Sequence, residues 1–225
     1  MNPARIGVLG DYDEQKPTHI ATDRALQEAA HDMERYIEVS WLGTDRIHDL
    51  SSYDAFVCGP GGPYKDLAKG LQSITAIRES GKPTLGTCGG FQHMALEFAH
   101  NVLGRPDTGH AEYAAGEDAL LIDYLSCSLV GQVRSVSLVE GSRAWEVYGS
   151  SPISESFHCR FGIHPDFVEQ LDTAGFRVTG TDEQHEPRIL ELQNHPFYIA
   201  TLFVPQMRCL QGEAVPLFSE LLRQI

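Results

Sequence analysis

The sequence predicts an α/β fold: an open, mainly parallel, doubly wound sheet with flanking helices. Three observations carry this. Short apolar runs recur through the chain, and in the first half they alternate with segments of helical period. Those runs, such as Ile6-Gly7-Val8-Leu9, are nearly continuous in apolar residues, as strands buried on both faces are. Most tellingly, Lys82 to Thr87 delivers a Gly-x-Cys-x-Gly turn, Gly86-Thr87-Cys88-Gly89-Gly90, straight into a helical pattern. The small residues of such a turn let the chain pass sharply from strand to helix and push the cysteine into an open site. The following helix aims its free N–H groups and positive dipole end at the sulfur, which favours thiolate.

Taken in order, Ile6 to Gly10 is the first expected strand. His19 to Tyr36 follows as a helix, because Ala21, Ala25, Leu26, Ala29 and Met33 recur at spacings of three and four. Ile37 to Leu42 alternates as a strand, and Asp54 to Gly59 is a further strand ending in Gly59-Pro60-Gly61-Gly62-Pro63. Leu67 to Glu79 is helical, with Leu71, Ile74 and Ile77 apolar. After the cysteine strand, Phe91 to Leu103 forms a helix whose buried stripe is Met94, Ala95, Phe98, Ala99 and Val102. The second half is less regular. Strands are expected at Leu129 to Val139, Ser156 to Phe161, Phe176 to Gly180, Ile189 to Leu192 and Tyr198 to Phe203. Helices are expected at Pro165 to Ala174 and Pro216 to Ile225. No repeat or linker interrupts the chain, so residues 1–225 are expected to form one domain.

Composition narrows the function. A net charge of −14 without a Lys/Arg cluster argues against nucleic-acid binding. The five cysteines (Cys58, Cys88, Cys127, Cys159 and Cys209) are odd in number and widely spaced, which fits a reduced, cytoplasmic setting better than a disulfide framework. The opening residues lack the apolar core of a signal peptide, and no apolar run approaches the ~20 residues that span a bilayer. The pairs His158/His164 and His185/His195 lack His-x-x-x-His spacing, and Gly59-Pro60-Gly61-Gly62 lacks the Gly-Lys-[Ser/Thr] ending of a phosphate loop. Neither metal nor cofactor is expected.

The cysteine turn does not stand alone. Ser52-Tyr53-Asp54-Ala55-Phe56-Val57-Cys58-Gly59-Pro60-Gly61-Gly62 precedes it, and Glu97 to Gly104 and His110-Ala111-Glu112-Tyr113 follow. Cys159-Arg160-Phe161, Gly180-Thr181-Asp182-Glu183 and Asn194-His195-Pro196-Phe197-Tyr198 come later. In this order and spacing the motifs resemble the class I glutamine amidotransferase domain, and within it the glutaminase half of cytidine triphosphate synthase, from about Gly7 to the C-terminus. The resemblance implies a hydrolase-like amide chemistry in which Cys88 attacks the side-chain amide of glutamine. Backbone N–H groups at Gly62 and Gly89 would meet the developing oxyanion, and Gly90 and Phe91 are expected beside them among the substrate-binding residues. Gln92 would contact the substrate, Glu112 its α-ammonium and Arg160 its α-carboxylate.

One departure stands out. In that family His-Pro-Glu follows a strand ending in Phe and completes the triad, whereas here the segment is Phe203-Val204-Pro205-Gln206. Val204 thus occupies the position of the general base and Gln206 that of the residue orienting it. His195 matches a non-catalytic family position. His110, where relatives carry a small polar residue, is either a replacement base reaching Cys88 from another direction or an exposed loop histidine. Cys159 replaces a histidine common in relatives, as a buried inert residue or a second reactive thiol. The synthase half that consumes ammonia is not found on this chain. Two functions remain open: a freestanding amidotransferase-like enzyme with a non-standard base, or a silent glutamine-binding or regulatory subunit, with a separate synthase subunit as partner.

Overall fold

The computed structural model describes residues 3–113 and 119–225. A nine-stranded sheet organises it. Five strands, β1 (Ala4–Leu9), β2 (Ile37–Leu42), β3 (Ala55–Cys58), β4 (Thr84–Thr87) and β12 (Tyr198–Thr201), lie parallel in the order β2-β1-β3-β4-β12. The sheet continues antiparallel from β12 through β11 (Pro187–Leu192), β10 (Phe176–Thr181), β7 (Gln132–Leu138) and β8 (Ile153–Phe157). A second sheet of three short strands joins β5 (Gly109–His110), β6 (Leu120–Tyr124) and β9 (Phe161–Ile163).

The central parallel strands are buried because helices cover both faces: β3 and β4 contain no exposed residue. The helices are α1 (Pro17–Asp32), α2 (Leu67–Glu79), α3 (Gly89–Asn101), α4 (Arg143–Tyr148), α5 (Pro165–Thr173) and α6 (Pro216–Arg223), with a 3-10 turn at Pro205–Gln211. Asp66 caps α2 by accepting from the Lys69 amide at 3.0 Å. Helix α3 is buried from Gly89 through Ala99, so it presents no solvent face there, and its polar side chains Gln92, His93 and Glu97 are hydrogen-bonded inside the protein. Its one buried carboxylate, Glu97, is gripped by the Arg78 fork of α2 at 2.9 and 3.0 Å, the paired arrangement that makes a buried charge tolerable.

The expected parallel half appears with boundaries shifted by a few residues, and β2 and α2 match outright. The expected strand Ser156 to Phe161 does not form as one piece. It divides into β8 and β9, and residues 158–160 between them leave both ladders. The alternating pattern continues across this break, so a strand reading runs through it; the break turns Cys159 inward and leaves Arg160 exposed. The expected strand Tyr198 to Phe203 likewise ends at Thr201, where the chain turns into the 3-10 segment.

Close backbone approach holds α3 on the sheet. A Cβ at Gly90 would collide with the Cys58 carbonyl, and one at Gly86 with the Met94 sulfur. Gly90→Ala is therefore expected to lower stability by about 1–3 kcal/mol, because backbone rather than a flexible side chain must give way. Thermal unfolding of the variant checks this; an unchanged midpoint would count against backbone contact as the reason for the glycine.

Candidate active site

The site begins with an unusual backbone. Cys88 sits between β4 and α3 at φ 53°, ψ −109°, a conformation that side-chain-bearing residues rarely adopt and that costs on the order of 1–3 kcal/mol. The surroundings impose it. The Cys88 amide donates to the Thr201 carbonyl of the neighbouring strand at 2.8 Å. Gly89 packs so closely on the Gly61 backbone that a Cβ there would strike the Gly61 carbonyl.

Cys88, Gly61, Gly62, Gly89, Gln92, Glu112 and Arg160 all line one cavity of about 420 Å³, together with His158, Cys159 and Phe161. The expected cysteine, oxyanion glycines and amino-acid clamp are thereby brought to a single place. Gly90 and Phe91 are not among its lining residues; both are buried beneath the elbow. Glu112 lies against the Gly62 Cα, where a Cβ would overlap its carboxylate. Burial raises the Glu112 pKa, opposed by the nearby Lys16 ammonium.

His110 is placed differently from either expectation. It is almost fully buried, not an exposed loop residue. Its Nε2 bonds to Gln92 Oε1 at 3.1 Å, so Nε2 carries the hydrogen, and its Nδ1 accepts the Glu112 amide at 3.1 Å. With both ring nitrogens committed, it has no free lone pair to offer a thiol, and it does not line the cavity. Burial pushes its pKa down to about 3, as befits a neutral ring. Its place in the structure is to hold Gln92 and the Glu112 backbone in register. Gln92 is fixed at its other end by donating to the Phe161 carbonyl at 3.1 Å.

Several supporting residues carried no sequence signal. His93 donates from Nδ1 to the Gly89 carbonyl at 2.6 Å and accepts at Nε2 from the Tyr113 hydroxyl at 2.7 Å. That hydroxyl in turn accepts the Tyr64 amide at 2.6 Å. Tyr64 stacks on His93 with centroids 3.7 Å apart, and burial takes the His93 pKa to about 4. This chain ties the glycine loop to the first turn of α3. His19 secures the same loop from below, bonding through Nε2 to the Pro60 carbonyl at 3.0 Å. His93 lies inside an apolar helix and His19 inside an amphipathic one, so periodicity reads both as packing.

The nearest side chain at the sulfur is a second thiol. Cys88 Sγ lies 2.7 Å from Cys159 Sγ, and Cys159 Sγ is 3.2 Å from the Leu202 carbonyl. The Cys159 hydrogen bond, then the Gly61 and Gly89 backbone, lower the Cys88 pKa against the opposing effect of burial. Cys159 is driven the other way, well above the usual thiol range, by burial and by the neighbouring sulfur. Val204 and Gln206 are completely buried. Gln206 Nε2 donates to Thr22 and Thr87 hydroxyls at 3.2 and 3.1 Å, and its Oε1 has no hydrogen-bond partner among the described residues. Among the described residues no group of three or more His, Cys, Asp or Glu is arranged to hold a metal, and no helix is long and apolar enough to cross a membrane.

A strained thiol turn at the carboxyl end of a parallel sheet, beside the Gly61 and Gly89 backbone and in a cavity that Glu112 and Arg160 also line, defines an α/β domain built around a cysteine elbow. The fold agrees closely with the glutaminase domain of Trypanosoma brucei CTPS with bound acivicin, at TM-score 0.87 and 16% identity over 98% of this chain and 93% of that one. A glutamine amidotransferase from Thermotoga maritima matches at TM-score 0.63 and 12% identity, over 100% and 96% of the respective chains. A family model, glutamine amidotransferase class-I, matches residues 21–223, and the chain belongs to that family. It is similar to CTP synthase of Methanoculleus marisnigri, 31% identical over 92% of this chain and 40% of the relative. CTP synthase of Natronomonas pharaonis is 29% identical over 98% and 42%. The chain thus spans less than half the length of these relatives.

Removing the Cys159 thiol removes the largest influence that lowers the Cys88 pKa. Cys159→Ala is therefore expected to shift the Cys88 ionisation to higher pH and to slow its alkylation near neutrality. The rate of iodoacetamide modification of Cys88 against pH measures this, and a midpoint that stays put or falls would contradict it.

Proposed function

We propose that this chain is an amidotransferase-type enzyme acting on the side-chain amide of glutamine or a related γ-glutamyl amide, with Cys88 as nucleophile. The observation that carries this is the convergence of Cys88, Gly62, Gly89, Gln92, Glu112 and Arg160 on one cavity. Glu112 receives the substrate's α-ammonium and Arg160 its α-carboxylate, which fixes the amide over the sulfur. The Cys88 thiolate attacks the amide carbon, a C–S bond forms, and the Gly62 and Gly89 amides take the oxyanion. The C–N bond then breaks and ammonia leaves with a proton. Water hydrolyses the thioester and frees Cys88.

In this reading Val204 stands at the family's base position, and among the described residues no imidazole is hydrogen-bonded to the Cys88 sulfur. The group at hydrogen-bonding distance from the sulfur is Cys159, which stabilises the thiolate by donation. Its pKa lies too high for efficient proton shuttling near neutrality. Solvent in the cavity supplies the proton that the departing ammonia takes up and accepts the one that the hydrolytic water gives up, with no positioned base for either transfer, so acylation is favoured over turnover. Ammonia consumption is assigned to a synthase half, on this or a separate chain.

Incubation with glutamine and a panel of γ-glutamyl amides tests this, with ammonia release and intact mass as readouts. A Cys88-dependent thioester or product is expected, abolished in Cys88→Ala. Arg160→Ala is expected to weaken substrate affinity about tenfold or more, because a charge-assisted hydrogen bond contributes roughly 1.5–3 kcal/mol. If wild type gives neither adduct nor product, the enzymatic reading fails.

The burial of Val204 and Gln206 specifically favours a second reading, a silent glutamine-binding or regulatory subunit. Calorimetric binding of glutamine that depends on Arg160, without any Cys88-dependent chemistry, would select it. Restoring the dyad separates the two further. Val204→His with Gln206→Glu is expected to raise turnover by at least tenfold, since loss of a triad member costs several powers of ten. An inert double variant that still binds substrate would show that more than the dyad has been lost.

A further inference from the structure

We propose that Cys88 and Cys159 form a peroxide-responsive dithiol, in which oxidation joins the two sulfurs in a disulfide that reversibly masks Cys88. The two are 71 residues apart in sequence and lie on different elements, the elbow after β4 and the break between β8 and β9. Their sulfurs are nevertheless 2.7 Å apart, a short approach from the about 2.05 Å of a disulfide. Both line the same open cavity, so a small peroxide reaches them although each side chain is largely buried. Cys58 and Cys209 are buried elsewhere, and Cys127 is exposed on the surface, which leaves this as a pair set apart from the other thiols.

The chemistry balances with a peroxide as the oxidant. The Cys88 thiolate attacks one peroxide oxygen, the O–O bond breaks, and the departing hydroxide is protonated to water. Cys88 is then a sulfenic acid. The Cys159 sulfur attacks the Cys88 sulfur, an S–S bond forms and the S–O bond breaks. The hydroxide leaves with the Cys159 proton as a second water. The two thiols lose two electrons and two hydrogens, and the peroxide is reduced. Proximity makes Cys159 the resolving thiol: it intercepts the sulfenic acid before a second peroxide carries Cys88 to the sulfinic state. The two sulfurs' opposite ionisation tendencies suit these roles, the attacking sulfur being the one more readily ionised. None of this depends on Cys88 turning over an amide.

The test uses the full chain carrying Cys127→Ser, reduced and then exposed to hydrogen peroxide near stoichiometry. Expected are an intact mass lower by two hydrogens and a peptide joining Cys88 to Cys159. Alkylation of Cys88 should be lost and then restored by dithiothreitol. With Cys159→Ser the joined peptide disappears, and Cys88 proceeds to a sulfinic acid that dithiothreitol does not reverse. The proposal is overturned if Cys88 in the Cys127→Ser chain is oxidised to sulfinic acid while Cys159 stays alkylatable. It is equally overturned if Cys88 remains a free thiol, or if the bridge forms between other cysteines. The mapping relies on the chain with both thiols present, so a poorly folded Cys159→Ser variant does not decide the matter.

Discussion

The backbone of Cys88 is the constraint on which the rest of this structure depends. A cysteine at φ 53° gives up conformational free energy on the order of 1–3 kcal/mol, and it stays there only because its neighbours leave no alternative. The Thr201 carbonyl holds its amide, Gly89 rests on the Gly61 backbone, and Gly90 rests on the Cys58 carbonyl. These contacts require three parallel strands, β3, β4 and β12, to end at the same level. They also require a helix buried almost throughout its length. The strain at one residue is thus offset by packing distributed over the parallel half of the sheet.

A rigid elbow only matters if the opposite wall is equally fixed. Histidines perform that task here, and they do it as neutral hydrogen-bonding spacers. His19 holds Pro60, His93 links Gly89 to Tyr113, and His110 links Gln92 to the Glu112 amide. Burial lowers the pKa of all three. His93 and His110, taken to about 4 and about 3, each keep one nitrogen protonated and one unprotonated near neutrality, which is what a donor–acceptor bridge needs and a proton shuttle does not. The glycine loop and the clamp are therefore joined to the elbow through rings that stay uncharged.

The parallel half of the fold was legible because strands and amphipathic helices leave different periods in the chain, as the alternating β2 and the helical α2 do. The turn at Cys88 was legible because the required close approach excludes side chains on either side of it. The antiparallel half and the small sheet were harder, since their short strands, such as the two residues of β5, carry too little period to register. The break at 158–160 was invisible because alternation continues through it. Its consequence, a sulfur–sulfur contact between residues 71 apart, is a fact of topology that no local pattern encodes. The roles of His19, His93 and His110 were hidden for a related reason: the partner atoms are mostly backbone carbonyls, amides and a distant tyrosine.

Cys159 has one hydrogen and two acceptors competing for it, the Leu202 carbonyl and the Cys88 sulfur. When Cys88 is a neutral thiol, the carbonyl is the better acceptor and the Cys159 hydrogen belongs to Leu202. When Cys88 ionises, the thiolate becomes the stronger acceptor, because a hydrogen bond to a charged partner is roughly twice as strong, and the hydrogen turns toward it. An imidazole at the family's base position would instead remove the proton from the cysteine altogether. In the proposed reading, where Val204 stands at that position, the thiolate is stabilised without its proton being stored, and one sulfur would meet either electrophile proposed for the cavity, amide carbon or peroxide oxygen.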